Sequence, residues 1–320
     1  MQPFGRRSSP AVATVVALGT VYILWGSTYL AIRFGIETIP PLLMAAVRFL
    51  IAGALMYGWA LQRGDLRDGG PTRRHWLATL TIGGLLLGVG NGGVTLGEGS
   101  IASGVAALLV ATVPVWMAVL SHVTGQERLS RLVGAGLVLG IAGVVLVAHP
   151  WSGSIGQARG VVLVLLAAFG WACGSLYARR AALPKSAILV TGMEMLCGGL
   201  VLLVAAGIDG EFARVHPEHF SLLSLGAVLY LVVFGSILAF SAYVWLLNHV
   251  SAALAGTYAF VNPAVAVLLG AVFAREPLGP AVLLGGAVII GGVSLVVAGR
   301  SFAARAERRA ENLTGAARAA

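Results

Sequence analysis

The sequence predicts an all-α membrane protein in which ten transmembrane helices form two inverted five-helix repeats. Three observations lead to this fold class: the composition, the spacing of apolar segments, and a residue pattern that occurs twice. Of the 320 residues, 58% are hydrophobic and only 10% are charged, and the mean hydropathy is +0.92. So few polar side chains cannot cover a globular protein in water, and we therefore expect a membrane-integral chain.

Ten apolar segments have about the 20 residues that are needed to cross a hydrocarbon core of roughly 30 Å. In chain order they run approximately over Val12–Ile32, Pro41–Leu61, His75–Leu96, Gly99–His122, Leu132–Ala148, Gly160–Ala178, Ala187–Ile208, Phe220–Leu247, Val250–Phe273 and Pro280–Ala298. Arg, Pro and acidic residues separate most of them, whereas little more than Glu98 separates the third from the fourth. No small-residue cleavage site follows the first segment, so we expect it to remain as a helix.

Basic residues are concentrated in alternate links between these segments. The N-terminal stretch, the even-numbered links and the C-terminal tail hold 16 of the 21 Arg and Lys residues, whereas the odd-numbered links hold four. Because cytoplasmic loops carry the excess of positive charge, both termini are expected on the cytoplasmic side. A missed or invented span would destroy this alternation, which therefore supports ten spans.

One set of residues recurs at a constant offset. The following pairs lie 149 residues apart: Pro114 and Pro263, Glu127 and Glu276, Leu129 and Leu278, Gly136 and Gly285, Ile141 and Ile290, Gly143 and Gly292, and Val144 and Val293. Trp25 and Arg33 are matched by Trp171 and Arg179, 146 residues later. A duplicated apolar unit is typical of secondary transporters that are built from two repeats.

The number of helices in each copy predicts how the two copies are oriented in the membrane, and from this a mechanism. Five helices per copy is an odd number, so the second copy must enter the membrane from the opposite side. We therefore divide the chain into a first repeat (1–150), a second, inverted repeat (155–299) and a basic cytoplasmic tail (300–320). Inverted repeats can exchange between outward-open and inward-open states around a central site, which is alternating access.

The motifs resemble those of the EamA-domain family of the drug/metabolite transporter superfamily, over nearly all of residues 12–298. The resemblance rests on Trp25-Gly26-Ser27-Thr28-Tyr29, Pro40-Pro41, Arg48-Phe49, Glu127-Arg128-Leu129, Trp171, Asn262-Pro263 and Glu276-Pro277-Leu278. It implies a multi-pass protein of the bacterial inner (plasma) membrane. It also implies export of small metabolites, often amino acids or related compounds, with drugs in some members.

Arg48 and Glu194 are the two ionisable residues that stand out inside predicted helices. Each lies about seven residues into its helix, and they occupy equivalent positions of the two repeats. A charge at a helix centre costs about 2.5–3.5 kcal/mol on insertion scales. We expect them to flank a polar cavity, with Arg48 favouring a carboxylate and Glu194 an ammonium group of a zwitterionic metabolite. The alternative is that each side chain snorkels or bonds to neighbouring helices.

Aromatic and small polar residues provide further candidates for substrate binding. They are Trp25, Ser27, Tyr29, Asn91, Trp171, Ser175, Tyr177, Tyr243, Tyr258 and Asn262. Rings beside hydroxyl and amide groups suit a pocket of mixed polarity, although Trp and Tyr also anchor helices at the interface and Asn often bridges helices. Pro114 and Pro263 are candidate hinges, with simple packing as the alternative.

The remaining charged residues receive less specific predictions. Glu127 and Glu276 are expected to cap the helices that follow them, with proton coupling as the alternative. Glu98 has no acidic counterpart at the matched position of the second half, so a symmetrical ion-coupling role is not expected for it.

The sequence also bounds the function classes. The histidines show no metal-ligand spacing and no phosphate-binding loop is present, so we expect no metal, no cofactor and no nucleotide hydrolysis. The basic residues that give the chain its net charge of +9 lie between apolar segments. This arrangement does not indicate nucleic-acid binding. The expected partners are a small-molecule substrate, membrane lipid and, as a candidate coupling ion, protons. An intramembrane lipid-modifying enzyme and a membrane scaffold or sensor are the alternatives, and the oligomeric state is left open.

Overall fold

The computed structural model describes residues 10–66, 69–125, 130–148, 155–249 and 257–319, and the regular elements in these ranges are helical. We number ten of them in chain order. They are α1 (Pro10–Gly35), α2 (Pro41–Arg63), α3 (Arg73–Gly97), α4 (Ser103–Val123), α5 (Arg131–Ala148), α6 (Ile155–Ala178), α7 (Ala187–Ile208), α8 (Leu222–Tyr230, continued by Leu231–Leu238 and Ala239–His249), α9 (Tyr258–Phe273) and α10 (Pro280–Ala319). Two short 3-10 turns, Glu211–Arg214 and Pro217–His219, connect α7 to α8.

Eight of these described helices are long and apolar enough to cross a membrane, and α5 and α9 are shorter apolar helices. The all-helical prediction is therefore confirmed. The starts of α2 at Pro41 and of α7 at Ala187 agree with the predicted ones, because Pro at the first turn and a Ser N-cap are readable locally. The predicted start of the ninth span at Val250 lies outside the described residues, as do Glu127 and Leu129.

Two helices extend beyond their predicted limits. α6 begins at Ile155, ahead of the predicted Gly160, and α10 continues to Ala319, through the segment predicted as a separate tail. The apolar run ends where charges begin, but a helix does not have to end there. Ala, Arg and Glu are good helix formers, so the backbone hydrogen-bond pattern continues past the apolar part.

α3 and α8 each contain a π-helical segment. The segments are Gly84–Asn91 and Leu231–Leu238, which lie at nearly equivalent positions of the two halves. The i to i+5 pattern widens a helix locally and leaves its carbonyl groups less regularly paired, which is why such segments are frequent at functional sites. Asn91, around which glycines suggested a bend, ends the first segment.

Glycines bring equivalent helices of the two halves into contact. The most extensive helix packing joins α5 to α10, followed by α2 to α7. A methyl group on Gly136 would lie 2.5 Å from the carbonyl oxygen of Gly292, and one on Gly53 would lie 2.8 Å from the backbone nitrogen of Leu196. Small residues drive such close packing in membranes, where apolar surface alone gives no preference for another helix over lipid.

The matched prolines occupy different local structures. α4 is interrupted at Ala111 and Thr112, and Pro114 lies in the first turn of its second segment, Val113–Val123. Pro263 lies inside α9, in the second turn after the described start of that helix. Pro114 therefore follows a real helix break, because Pro cannot donate the backbone hydrogen bond of a continuous helix. The hinge role of both residues stays a prediction.

Candidate functional site

Four aromatic side chains from α1 and α8–α9 meet in the bundle. Trp25 of α1 is the centre of this aromatic cluster: its ring centroid lies 5.0 Å from those of Tyr243 and Tyr258 and 5.8 Å from that of Phe240. Tyr243 and Tyr258 also contact each other edge to face, at 5.6 Å. Edge-to-face pairs at these distances stabilise packing beyond simple area burial. The cluster is thus a cohesive aromatic surface shared by three helices.

Polar groups border the aromatic cluster. Asn262, in the amide orientation that satisfies both of its ends, donates to the carbonyl oxygens of Tyr258 at 3.2 Å and Tyr22 at 3.3 Å. The hydroxyls of Tyr22 and Thr257 lie 2.5 Å apart, which links α1 to the start of α9. Ser27 lies 2.6 Å from the hydroxyl of Tyr230 on α8. These contacts give the apolar rings a polar rim.

Arg48 of α2 and Trp25 of the aromatic cluster both contact the π-helical segment of α8, at Ser236 and Gly235. Arg48 Nε donates to Ser236 Oγ at 2.9 Å, and the Arg48 side chain is only 5% exposed. The indole N–H of Trp25 donates to the Gly235 carbonyl oxygen at 3.1 Å, and a methyl group on Gly235 would lie 3.2 Å from Arg48 Nη2. A cation and an indole donor therefore converge on one irregular helix segment.

Glu194 does not join Arg48. The carbonyl oxygen of Glu194 lies against Gly83 of α3, and the ion pairs among the described residues are Arg214 with Asp209 and His216 with Glu218. In the antiparallel pair α2 and α7, Gly192 packs on Tyr57 whereas Gly199 packs on Leu50, so the two charges lie at different depths. At these separate depths the two side chains do not form an ion pair with each other.

The other candidate residues with aromatic, hydroxyl or amide side chains have different surroundings. Trp171 of α6 packs against Gly90 of α3, where a methyl group would lie 2.9 Å from its ring. Ser175 is partly buried and Tyr177 is exposed. The carbonyl oxygen of Asn91 accepts from Thr95 Oγ1, which is a contact within α3. Tyr29 packs on the apolar core beside α1.

The structure brings together Trp25, Tyr243, Tyr258 and Asn262, with Arg48 beside them. Tyr29 is close enough to Tyr258 for electrostatic interaction, whereas Trp171 and Asn91 make their contacts at α3. Two grooves of about 290 Å³ lie outside this region: one is bordered by Ser27, Phe34 and Tyr230, the other by Trp76 and Cys197. Neither is lined by Arg48 or by the aromatic cluster.

Acidic side chains cap helices that belong to the other half of the chain. For Glu276 the sequence predicts a different helix as the one that is capped. Glu276 was predicted to cap the helix that follows it, but its carboxylate accepts the backbone N–H groups of Ser103 at 2.7 Å and Gly104 at 3.1 Å, at the start of α4. Arg275, in a left-handed conformation with φ of 55°, turns the chain back towards α4. Local sequence shows only the neighbours along the chain, so this long-range cap was not visible.

Glu211 makes the same kind of cap on α2. Its two carboxylate oxygens accept the backbone N–H groups of Leu42 at 3.1 Å and Leu43 at 2.7 Å. Asp65, the counterpart of Glu211 in the first half, accepts from the hydroxyl of Ser186, the N-cap residue of α7. A carboxylate at a helix N-terminus satisfies unpaired N–H groups and faces the positive end of the helix dipole.

The signal for this pair of caps was present in the sequence. Asp65 and Glu211 are separated by the same interval of chain as Trp25 and Trp171, so the repeat that matched the two tryptophans also matches the two carboxylates. Both carboxylates accept hydrogen bonds from the start of a helix in the other half of the chain.

Among the described residues, one group of side chains has the spacing of metal ligands. His216, Glu218 and His219 present ligand atoms within 4.8 Å of one another, in the link between α7 and α8. The sequence analysis expected no such grouping. All three side chains are exposed and lack the buried outer shell that orients ligands in metal sites.

Comparison with known proteins identifies the class of molecule. Residues 13–148 and, separately, residues 158–298 match the sequence profile described as the EamA-like transporter family. The chain belongs to the EamA-like transporter family. The resemblance seen in its motifs is thereby confirmed, and this EamA-like protein is a membrane transporter.

Named relatives of this EamA-like transporter come from bacteria and a plant. It is 42% identical over 285 residues to the uncharacterized inner membrane transporter YedA of Escherichia coli K12, covering 89% of this chain and 90% of that one. It is 26% identical over 286 residues to the uncharacterized transporter YoaV of Bacillus subtilis (88% and 96% covered) and 25% identical over 281 residues to the chloroplastic WAT1-related protein At3g02690 of Arabidopsis thaliana (86% and 67% covered).

A solved crystal structure shares the fold of this EamA-like transporter. The two superpose with a TM-score of 0.61 over 91% of this chain and 99% of the other, at 22% sequence identity. The names of YedA and YoaV describe transporters.

Proposed function

We propose that this transporter exports a small metabolite from the bacterial cytoplasm by alternating access between two inverted five-helix halves. The observation that carries the proposal is the convergence of Arg48 and Trp25 on the π-helical segment of α8. A buried cation beside aromatic rings and hydroxyl groups is the chemistry of a binding site for a small anionic or zwitterionic solute.

Three observations support the inverted halves. The family profile matches the chain twice, once in each half. The two π-helical segments lie at nearly equivalent positions of the halves, and so do the acidic caps Asp65 and Glu211. A ten-span layout with five helices per half accounts for these equivalences, with α5 and α9 as the shorter spans.

The site favours a metabolite with a carboxylate and an apolar body, such as an amino acid or a related compound. Arg48 already binds a hydroxyl oxygen, that of Ser236, so a substrate carboxylate would exchange one oxygen partner for a stronger one. The aromatic cluster would contact the apolar part. Glu194, at a different depth, is proposed to attract an ammonium group along the route.

The location and energy source follow from the same reasoning. We place the protein in the inner membrane with both termini cytoplasmic, because of the alternating basic residues and because YedA is named as an inner membrane transporter. A concentration or proton gradient would supply the energy.

The test compares solutes that accumulate outside bacteria overexpressing the wild-type protein with those of an empty-vector strain. The expected result is an excess of one or a few amino acids or related carboxylates. An Arg48→Ala variant at equal membrane abundance should lose most of this excess, and Glu194→Gln should reduce it. Arg63→Ala is the matched control, since Arg63 is an exposed residue of the same helix.

Two outcomes would contradict the proposal. No wild-type excess of any solute would argue against export, whereas unchanged export by Arg48→Ala would argue against the site. An excess restricted to solutes without a carboxylate would reject the substrate class only.

A further inference from the structure

Glu98 is a buried carboxyl group. Neither the packing of the helices nor the proposed binding site explains why a carboxyl group lies there. Glu98 follows the last residue of α3, its exposed fraction is 0%, and neither carboxylate oxygen accepts a hydrogen bond from a described residue. An ionised carboxylate in such a place costs several kcal/mol, because it loses water without gaining donors.

The charged and titratable neighbours of Glu98 come from two elements. Arg33 of α1 donates to the backbone carbonyl oxygen of Glu98 at 2.9 Å and not to the carboxylate. Arg33, Tyr29 and Glu276 are close enough for electrostatic interaction with the Glu98 side chain. From α6, Gly160 and Val164 approach the adjoining Gly97.

Glu276 makes ionisation of Glu98 still less favourable. Both of its oxygens are occupied by the backbone N–H groups of α4, which is the arrangement of an ionised cap. A second negative charge nearby repels the first, and two neighbouring carboxylates that share a site are rarely both ionised. The hydroxyl of Ser103, buried beside them, has no hydrogen-bond partner among the described residues either.

We propose that Glu98 is a proton-binding site and that a proton binds there when this end of the bundle closes. In the closed conformation Glu98 is the neutral acid, which tolerates burial beside the ionised Glu276. Opening admits water, the proton leaves, and the resulting carboxylate repels Glu276 from the start of α4. The inference rests on the proposed alternating access, and it adds a chemical condition for one of its two states.

The first experiment detects the proton itself and requires no transported solute. Infrared difference spectra of the purified wild-type protein are recorded as a function of pH, with the proton as the only probe. The expected result is a carbonyl-stretch band of a protonated carboxylic acid that persists at pH values where exposed carboxylates are ionised. The spectra of the variants are recorded in a Glu194→Gln background, because Glu194 is another carboxyl group inside an apolar helix. In that background the band should disappear in Glu98→Gln and remain in Glu37→Gln, whose side chain is exposed near the same end.

The second experiment follows opening. In a background where the two cysteines, Cys173 and Cys197, are replaced by Ser, Ser103→Cys places a reactive group at the buried start of α4. Since closure takes up one proton, the closed population is complete at low pH and falls as pH rises. Thiolate formation by itself accelerates the reaction as pH rises, so the rate of modification by a membrane-impermeant maleimide is divided at each pH by the rate for a free small thiol. This corrected rate should increase by up to about tenfold per pH unit. Glu98→Gln should remain slow at every pH, and Glu37→Gln should behave like the parent.

Several results would overturn the proposal. A wild-type spectrum without the band would do so even if no variant folds, and so would a band that survives in Glu98→Gln. Loss of the band on addition of sodium chloride at constant pH would assign Glu98 to a metal cation instead. Modification of the cysteine that is independent of pH would separate Glu98 from closure. Neither experiment depends on export, so failure of the proposed function would be recognised separately.

Discussion

The two ends of the helix bundle are closed by different chemistry. At the end that contains Glu98, Glu211 and Glu276, which we call the Glu98 end, two carboxylates each accept two backbone N–H groups from the other half. At the opposite end, which we call the Asp65 end, the described residues include one carboxylate-to-hydroxyl bond, from Ser186 to Asp65, and a ring contact between Tyr57 and Trp76.

Among the described residues, the Glu98 end thus has more hydrogen bonds between a carboxylate and backbone N–H groups of the other half. Charge-assisted hydrogen bonds to a helix N-terminus are roughly twice as strong as neutral ones and act along the helix dipole. Additional contacts strengthen the Glu98 end, since Ser224 donates to the carbonyl oxygen of Phe34 and the backbone of Ser221 to Thr38. Opening of the Glu98 end must break bonds between the halves, and these bonds can be tested one by one.

The largest effect is expected for the cap on α4. Glu276→Ala leaves two backbone N–H groups without their acceptor, which should lower the free energy of unfolding in detergent by about 1–3 kcal/mol. Gly270→Ala should act in the same direction, because its methyl group would overlap the Glu276 carboxylate. Gly291→Ala is the matched control, since nothing lies within 4 Å of a methyl group there. Equal stability of Gly270→Ala and Gly291→Ala would contradict the importance of the cap.

A smaller effect should distinguish the two ends directly. Glu211 and Asp65 occupy equivalent positions of the two halves, but Glu211 serves two backbone donors and Asp65 one hydroxyl. Glu211→Ala should therefore destabilise the protein by about 1 kcal/mol more than Asp65→Ala, the difference made by one further bond to a charged group. Denaturant titration of both variants under one detergent condition measures the difference. A larger loss for Asp65→Ala would reverse the comparison.

Trp25→Phe tests the link between the aromatic cluster and α8. Phe keeps the aromatic contacts but cannot donate to the Gly235 carbonyl oxygen, so we expect a loss of about 0.5–1 kcal/mol in stability. Export should fall more than stability does, because the freed carbonyl group changes the surroundings of Arg48. Trp59→Phe is the control, since Trp59 is 42% exposed on α2. Equal export by both variants would place the cluster outside the transport site.

The smallest effect is expected for Glu98→Gln. Gln has the shape of the protonated acid, so the free energy of unfolding should change by no more than about 0.5 kcal/mol, as for substitutions that break no native interaction. The contrast with Glu276→Ala, which removes a carboxylate at the same end of the bundle, makes the measurement informative. A loss as large as that of Glu276→Ala would mean that Glu98 uses its charge in the closed state.

Sequence reasoning recovered the features that depend on short stretches of chain. Apolar length and polar punctuation predicted the helices, and the starts of α2 and α7 agreed because Pro41 and Ser186 act within one turn. The tenth span, predicted as Pro280–Ala298, agrees with the apolar part Pro280–Gly299, although the helix itself continues to Ala319. Sequence reasoning assigned Glu276 to the wrong helix, because the left-handed turn at Arg275 redirects the carboxylate.

The same distinction applies to the candidate site, where contacts between distant helices could not be predicted from short stretches of chain. Arg48 was predicted to flank a polar cavity, with a bond to a neighbouring helix as the alternative. The structure shows such a bond, to Ser236 of α8, and the role of Arg48 in substrate binding stays a prediction. The meeting of Trp25 with Tyr243 and Tyr258 depends on how α1, α8 and α9 pack, and the first ring lies in the opposite half of the chain from the others. The motif around Trp171 resembles that around Trp25 and yet packs against α3.

By itself the sequence determined an all-helical membrane chain, its membership of a transporter family and a duplicated pattern of residues. These depend on the length of apolar segments, which the thickness of a bilayer sets, and on identities at constant offsets. Only the tertiary structure decided which side chains meet Arg48, which helices Glu211 and Glu276 cap, and that Glu98 has no donor among the described residues. Those outcomes depend on close packing at glycines between distant helices, where the position of one methyl group decides which surfaces touch.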